Sequence, residues 1–413
     1  MIDSLDDSLS EALAWLQRVG SSGAGSAGSS AANGGDETDG AGAESGDGRD
    51  GDRGGGRVTG VATDDGDRDD RGGWEVVESP TSRTLHGVVH GQDGPYACGE
   101  GGLVLHRTGD AWRVLLERGP GVSENTLRSI AATDDGCRLW FAGDSGALGY
   151  YDVADGHLSD YSAPMEKTST WEAIAVAGAT GEERVRIANG SGEVLDCTVE
   201  DGCPVWGDVV EPGGGSTIPG LTAGPDGFYA VDTSGGAYFE PADGSGTGTD
   251  ADSDSPATDS GDGDTESVDS DRTNDWKRIG VRNAQVDFQD VWAGADSVFI
   301  AGADGIAYRY DPRCENWTPL HVGQGALQAI RSVGTDAVAV ATGGRIYERD
   351  ASVRWTALDA PTEQSLLDLA LARSSADVGD GLATVSVDVA VGAGGAILER
   401  DRRDREGAAD RRD

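Results

Sequence analysis

The chain has 413 residues, of which 74 are Asp or Glu and 32 are Lys or Arg, for a formal net charge of −42. Such a chain repels phosphate, which excludes nucleic acid as an expected partner. No apolar run reaches the ~18 residues of a membrane span, and the acidic start lacks the basic n-region of a secretory signal.

Residues 1–20 read as one amphipathic helix. Leu5, Leu9, Leu13 and Leu16 fall on a single face, Ser4 stands at the N-cap, and Asp6 and Asp7 lie at the positive helix end. Residues 21–73 are Gly, Ser, Ala and Asp with almost nothing to bury, which predicts a disordered linker. From residue 74 to 400 the apolar residues alternate or form short β-branched runs bounded by Gly, the pattern of strands rather than helices. A second acidic low-complexity run, at about 241–275, interrupts that region and reads as a disordered insertion in a surface loop. Residues 401–413 form a charged tail.

The patterned region is repetitive, and the repeat decides the fold. The unit is L-x-x-V, a gap, a β run ending in Gly, a Gly turn, a second β run, then Trp. Its copies begin at Leu85, Leu127, Trp171, Ile218, Phe288, Leu327 and Leu366. The Trp position is filled by Trp112, Tyr161, Trp206, Trp276, Trp317 and Trp355 in the first six copies. The seventh lacks it, and the unassigned segment Trp74-EVVESP would supply the missing strand. The expected fold is therefore all-β: a seven-bladed β-propeller closed by an N-terminal strand, which leaves no open sheet edge.

The unit L-x-x-V…VAVG-x-GG-x-I-x-x-R…W resembles the repeats of photosystem II assembly factor propellers and of the wider sialidase-like, YVTN and WD40 group. The resemblance covers roughly residues 74–400. The Asp-box turn of the sialidase group, S-x-D-x-G-x-x-W, occurs in no copy. The resemblance implies a propeller; the assembly factors' role beside a membrane complex enters only by analogy, as one alternative.

Composition also points to an environment. Lys167 and Lys277 are the only lysines, and Arg supplies every other fixed cation. A carboxylate-rich surface poor in Lys stays hydrated at molar salt, where the Debye length falls to about 3 Å. The expected setting is the cytoplasm of a salt-accumulating halophile. The five cysteines are expected to be thiols. Cys197 and Cys203 flank a turn-like segment and would face each other across a hairpin.

No catalytic motif, metal site or cofactor fingerprint is evident. His86 and His90 lie about 13 Å apart on an extended strand, too far to share an ion. Asp250, Asp252 and Asp254 start like a calcium loop, but Ser255 and Gly261 break it. The recurring Trp column marks packing between blades rather than a sugar site. Candidate ligand residues come instead from the face where the inner strands begin. The turns there supply Glu100, Asp144, Asn189, Ser191, Asp232 and Asp304. The preceding loops and strand starts supply Arg83, Arg128, Lys167, Glu172, Asn283, Gln285, Gln289, Gln324 and Gln328. The amides cluster in copies five and six, and Lys167 lies in SAPMEKTSTW, which does not fit the repeat. The function expected from this set is a non-catalytic protein- or peptide-binding scaffold, monomeric, with the helix face Leu5, Leu9, Leu13 and Leu16 as a second contact. The alternatives are a hydrolase or lyase acting on a glycan or polar ligand at the channel, and an assembly factor for a membrane complex.

Overall fold

The computed structural model describes residues 73–121, 123–242, 275–281, 284–349, 354–372 and 387–401. The expected helix with Leu5, Leu9, Leu13 and Leu16, the linker, the acidic insertion with its Asp250–Asp252–Asp254 run, Asn283 and most of the tail lie outside the described residues. Among the described residues the chain forms seven four-stranded antiparallel sheets, the blades of a β-propeller.

Strand β1 (Glu75–Val76) precedes the first blade. Blade 1 is β2 (Leu85–Gly91), β3 (Gly94–Gly99), β4 (Val104–Thr108) and β5 (Ala111–Leu116). Blade 2 is β6 (Leu127–Ala132), β7 (Arg138–Gly143), β8 (Leu148–Asp152) and β9 (His157–Asp160). Blade 3 is β10 (Trp171–Ala177), β11 (Arg184–Asn189), β12 (Val194–Glu200) and β13 (Cys203–Val210). Blade 4 is β14 (Gly220–Gly224), β15 (Gly227–Val231), β16 (Ala237–Pro241) and β17 (Lys277–Gly280). Blade 5 is β18 (Phe288–Ala293), β19 (Val298–Gly302), β20 (Ile306–Asp311) and β21 (Asn316–His321). Blade 6 is β22 (Leu327–Val333), β23 (Asp336–Ala341), β24 (Arg345–Arg349) and β25 (Trp355–Leu358). Blade 7 is β26 (Leu366–Ala370), β27 (Val387–Gly392) and β28 (Ile397–Asp401), with β1 as its outer strand, Glu75 opposite Glu399. The inner strands β2, β6, β10, β14, β18, β22 and β26 touch in that order and back to β2, which makes a ring.

The L-x-x-V spacing has a physical cause. In a regular strand, residues three apart point to opposite faces. In six blades a bulge falls between the first and third residues of the motif: Leu85/Gly87, Leu127/Ser129, Trp171/Ala173, Phe288/Asp290, Leu327/Ala329 and Leu366/Asp368. The extra residue restores the phase, so the first and fourth side chains share one face. In blade 4 Pro219 holds the bulge position and the ladder starts at Gly220, so its missing N–H breaks no ladder bond.

That shared face is buried against the preceding blade in every case. Leu85 and Val88 pack with Val387, Val389 and Val391 of blade 7, and Trp171 and Ile174 pack with Trp140 and Tyr150 of blade 2. Seven such clusters fill the seven interfaces. Each fully buried Leu, Ile, Val or Phe there contributes about 1.5–3 kcal/mol. The third motif residue faces the next blade and is small or short: Gly87, Ser129, Ala173, Gly220, Asp290, Ala329, Asp368. A Cβ at Gly87 would come within 2.9 Å of Ile130 Cγ2. Where this residue carries oxygen, it accepts the N–H of the fourth motif residue in the next blade. Ser129 Oγ accepts from Ile174 N at 3.2 Å, Asp290 Oδ2 from Ile330 N at 2.9 Å and Asp368 Oδ2 from Val88 N at 2.9 Å.

Farther out, arginines link blades. Arg107 grips Glu399 of blade 7 through Nε at 2.7 Å and Nη2 at 2.9 Å, and Trp112 Nε1 donates to the same carboxylate at 2.7 Å. Arg186 grips Glu240 of blade 4 at 2.7 and 2.8 Å and lies 4.8 Å from the Phe228 ring centroid. Arg400 joins Asp388 and Glu348 of blade 6 and covers Trp74 at 4.8 Å. Only guanidinium offers this fork and flat face together.

Two sequence expectations need correction. Tyr161 does not hold the Trp position of blade 2. Register places Leu158 opposite Tyr151, where the other blades carry Trp, and Leu158 packs at the interface of blades 1 and 2. Tyr161 lies past the end of β9 and turns the other way, onto Trp140, Tyr150 and Trp206. Cys197 and Cys203 do not face each other. Cys197 pairs with Trp206, while Cys203 stands beside the turn opposite Glu200, because the hairpin turns at Asp201 and Gly202. All five cysteines are free.

The glycines ending β3, β7 and β27 are steric requirements: a Cβ at Gly99, Gly143 or Gly392 would strike the carbonyl of Thr84, Thr126 or Ser365. Gly143→Ala is expected to lower unfolding stability by roughly 1–3 kcal/mol, the usual range for overpacking, read as a lower denaturant midpoint at unchanged slope.

Candidate functional site

The bulge that phases the blades also builds the site. Its extra residue is left out of the ladder and turned to the ring axis, once per blade: His86, Arg128, Glu172, Pro219, Gln289, Gln328 and Leu367 line the central channel. With Asp290, Arg331 and Asp368 they surround a cavity of about 130 Å³.

Two acid–arginine–acid triples stand on opposite sides of the ring. In blades 2 and 3, Arg128 Nε donates to Asp144 Oδ1 at 2.6 Å, and its Nη1 lies 3.5 Å from Glu172 Oε2. Burial pushes the Glu172 carboxyl above its ordinary range; Arg128 opposes the shift and Asp144 reinforces it. In blades 5 to 7, Arg331 donates through Nη1 to Asp290 and through Nη2 to Asp368 Oδ1 at 2.8 Å. Asp368 also accepts from the N–H groups of Val88 and Leu369. Burial nevertheless raises its carboxyl from an ordinary 3.8 to about 6, with Arg331 opposing and Asp290 reinforcing. His86, in blade 1 between the triples, is held below its ordinary value by burial and then by Arg128.

Gln289 and Gln328 stand on neighbouring blades, and neither side chain has a hydrogen-bond partner among the described residues. Pro219 and Leu367 flank them. This sector offers donors and acceptors beside apolar surface.

The other predicted residues lie off the cavity. Glu100 ties its turn to the entry of β2, accepting from Thr84 N at 3.0 Å, a bond that lowers its carboxyl first of all. The exposed Arg83 lies over Gly101 of the same turn. Asn189 is buried; its Oδ1 accepts from Ser191 N and Glu193 N, and its Nδ2 donates to Glu193. Asp232 likewise holds Ser234 N, Gly236 N and Tyr238 Oη, and Asp304 accepts from Ile306 N. Lys167 Nζ lies 2.9 Å from Glu193 Oε2. Gln285 and Gln324 are exposed and do not line the cavity.

The segment around Lys167 has unusual backbone. Ala163, Met165 and Glu166 have φ of 55°, 52° and 62°, the left-handed region that side-chain-bearing residues seldom occupy. Ala163 N donates to Gly146 O, which fixes the loop over the turn after β7. Met165 is left 55% exposed at its tip.

Asp290, Arg331 and Asp368 were missed by motif reading, yet a signal existed. Across the seven copies Asp290 and Asp368 are the only charged residues at the third motif position, and Arg331 is the only charged residue at the fifth. Among the described residues no three His, Cys, Asp or Glu side chains converge to hold an ion.

No protein-family profile matches the chain, and no curated protein matches it. Among solved structures it is similar to one described as YCF48 bound to D1 peptide, at TM-score 0.55 and 13% identity, covering 79% of this chain and 96% of that one. It is also similar to the WD40 β-propeller domain of Doa1, at TM-score 0.53 and 10% identity, covering 80% and 97%. At these identities the likeness is one of fold.

The raised Asp368 carboxyl has a signed consequence. Between 3.8 and about 6 the folded state binds a proton that the unfolded state releases, so this group's contribution to stability falls as pH rises through that window. Asp368→Asn is expected to flatten the pH dependence of the denaturant midpoint there, relative to the parent protein.

Proposed function

We propose that the protein is a non-catalytic scaffold that binds a protein or peptide segment across the channel mouth. The observation that carries this reading is the pair of unpartnered carboxamides, Gln289 and Gln328, beside Pro219 and Leu367. A carboxamide offers both a donor and an acceptor, the complement of a peptide unit, and the apolar neighbours suit its side chains. Met165, exposed on the left-handed loop that leads into β10, offers a further apolar surface on the face where the inner strands begin. The YCF48 neighbour is described as bound to a peptide, which supports a propeller of this shape as a peptide platform.

The ion pairs favour binding over general acid–base catalysis. Asp144 and Glu172 both face Arg128, and Asp290 and Asp368 both hold Arg331. Asp368, whose carboxyl is raised to about 6, already accepts from Arg331 and from the N–H groups of Val88 and Leu369, which fixes it as an acceptor in place rather than a mobile proton carrier. The acid-rich, Lys-poor composition fits a halophile cytoplasm, and no described helix is long and apolar enough to cross a membrane.

The test is affinity purification of the tagged full chain from its host in molar salt, beside the Gln289→Ala/Gln328→Ala double variant. A stoichiometric partner retained by the parent and depleted roughly tenfold by the variant, the effect of losing ~1.4 kcal/mol, supports the reading. Identical partner profiles would remove the channel mouth as the docking surface.

A further inference from the structure

The charges around the channel do not balance. Its lining carries two guanidinium groups, Arg128 and Arg331, against three carboxylates, Glu172, Asp290 and Asp368. Asp144, bonded to Arg128, adds a fourth carboxylate behind the wall. Each triple therefore pairs two acids with one arginine and leaves one negative charge without a counterion. The two surplus charges face the same cavity from opposite sides, one from blades 2 and 3 and the other from blades 5 to 7.

Burial makes these charges costly, which is why it raises the Glu172 and Asp368 carboxyls, and a cation in the cavity would relieve that cost. The Asp290 and Asp368 side chains are each 15% exposed, and Glu172 is 25% exposed. Charges so placed are poorly screened by solvent, and each lacks a full partner. The three neutral polar groups of the ring, His86, Gln289 and Gln328, bring no fixed charge to offset them, and His86 is held toward its neutral form.

Resting on the peptide-binding reading, we infer that the channel receives the cationic group of a peptide, an Arg or Lys side chain or an N-terminal amine, rather than an acidic residue or a C-terminal carboxylate. The cavity of about 130 Å³ has the size of sites that hold one small organic group. A guanidinium or ammonium brings several N–H donors, and acceptors are present on both sides: Glu172 on one, Asp368 on the other, with the Gln289 and Gln328 carboxamides between blades 4 and 7. A carboxylate in the same place would meet the surplus negative charge of both triples. A metal ion would require several oxygens converging on one point at about 2.0–2.6 Å, and among the described residues no three acidic, His or Cys side chains do so. Pro219 and Leu367 would lie against the aliphatic stem of the entering side chain.

The test is calorimetric titration of the full chain with four short peptides that differ at one central residue: Arg, Lys, citrulline or Glu. Citrulline keeps the shape of Arg without its charge. The expected result is binding of the Arg and Lys peptides, with the citrulline peptide at least roughly tenfold weaker and the Glu peptide weaker still. Glu172→Gln is expected to weaken the Arg peptide by a similar factor and to leave the citrulline peptide unchanged. Among the described residues Glu172 accepts no backbone hydrogen bond, and its link to blade 2 is the long 3.5 Å ion pair with Arg128, so this variant keeps the test open if Asp368→Asn fails to fold. Equal or tighter binding of the citrulline or Glu peptide, with loss of binding in Gln328→Ala, overturns the cation preference and leaves the peptide reading standing. Failure of all four peptides to bind overturns both. Methylguanidinium alone, binding as tightly as the Arg peptide, would overturn the peptide as the source of the cation.

Discussion

Each blade is a four-stranded sheet with two apolar faces, and neither face can be left in water. That single constraint organises the molecule. A sheet buried on both sides needs a neighbour on both sides, and a ring is the arrangement in which every sheet has two. The seven clusters that fill the interfaces are therefore equivalent parts of one closed core. Near the axis the blades crowd together, so the residue facing the next blade is Gly, Ala, Ser or Asp; farther out there is room for Trp and Arg. The taper of the blade is written in side-chain volume.

The inner-strand bulge couples this packing to the candidate site. Without the extra residue, Leu85 and Val88 would point to opposite faces, and each interface would lose half of its inner anchor. With it, one side chain per blade leaves the ladder and turns to the channel. The site is thus a by-product of phasing the core, and its residues are free to vary because the core does not use them. The variety of the seven, from His86 and Arg128 to Pro219 and Leu367, is what such freedom allows. The third motif position shows the opposite pressure. There Ser129, Asp290 and Asp368 bind backbone of the following blade, and two of them also carry the charge that shapes the channel. Packing and the candidate site meet in Asp290 and Asp368.

Arginine does the work that lysine would do badly in this fold. Arg107, Arg186 and Arg400 combine forked bonds to a carboxylate with, for the latter two, contact over an aromatic face. The scarcity of lysine in the sequence is matched by the way the described guanidinium groups are used between blades. A composition that reads as an adaptation of the surface is also a source of glue for the interior.

The repeat count, the strand order within a blade and the face on which side chains gather were all legible in the sequence, because each rests on a local pattern repeated seven times. Seven copies average out the noise that defeats a single strand. Arg128, Glu172, Gln289 and Gln328 were legible for the same reason: each is the second residue of a recognisable motif. What failed was local register. Spacing along the chain cannot say where a short outer strand ends, so it puts Tyr161 at the Trp position; nor does it separate turn residues from the strand, so it sets Cys197 across from Cys203. The pairing of Arg331 with Asp290 and Asp368 lies beyond sequence for a deeper reason. Those three residues come from three blades, 78 positions apart at the extremes, and only closure of the ring puts them side by side. Local periodicity determined the blades; the cavity and its unbalanced charge exist only once the blades share an axis.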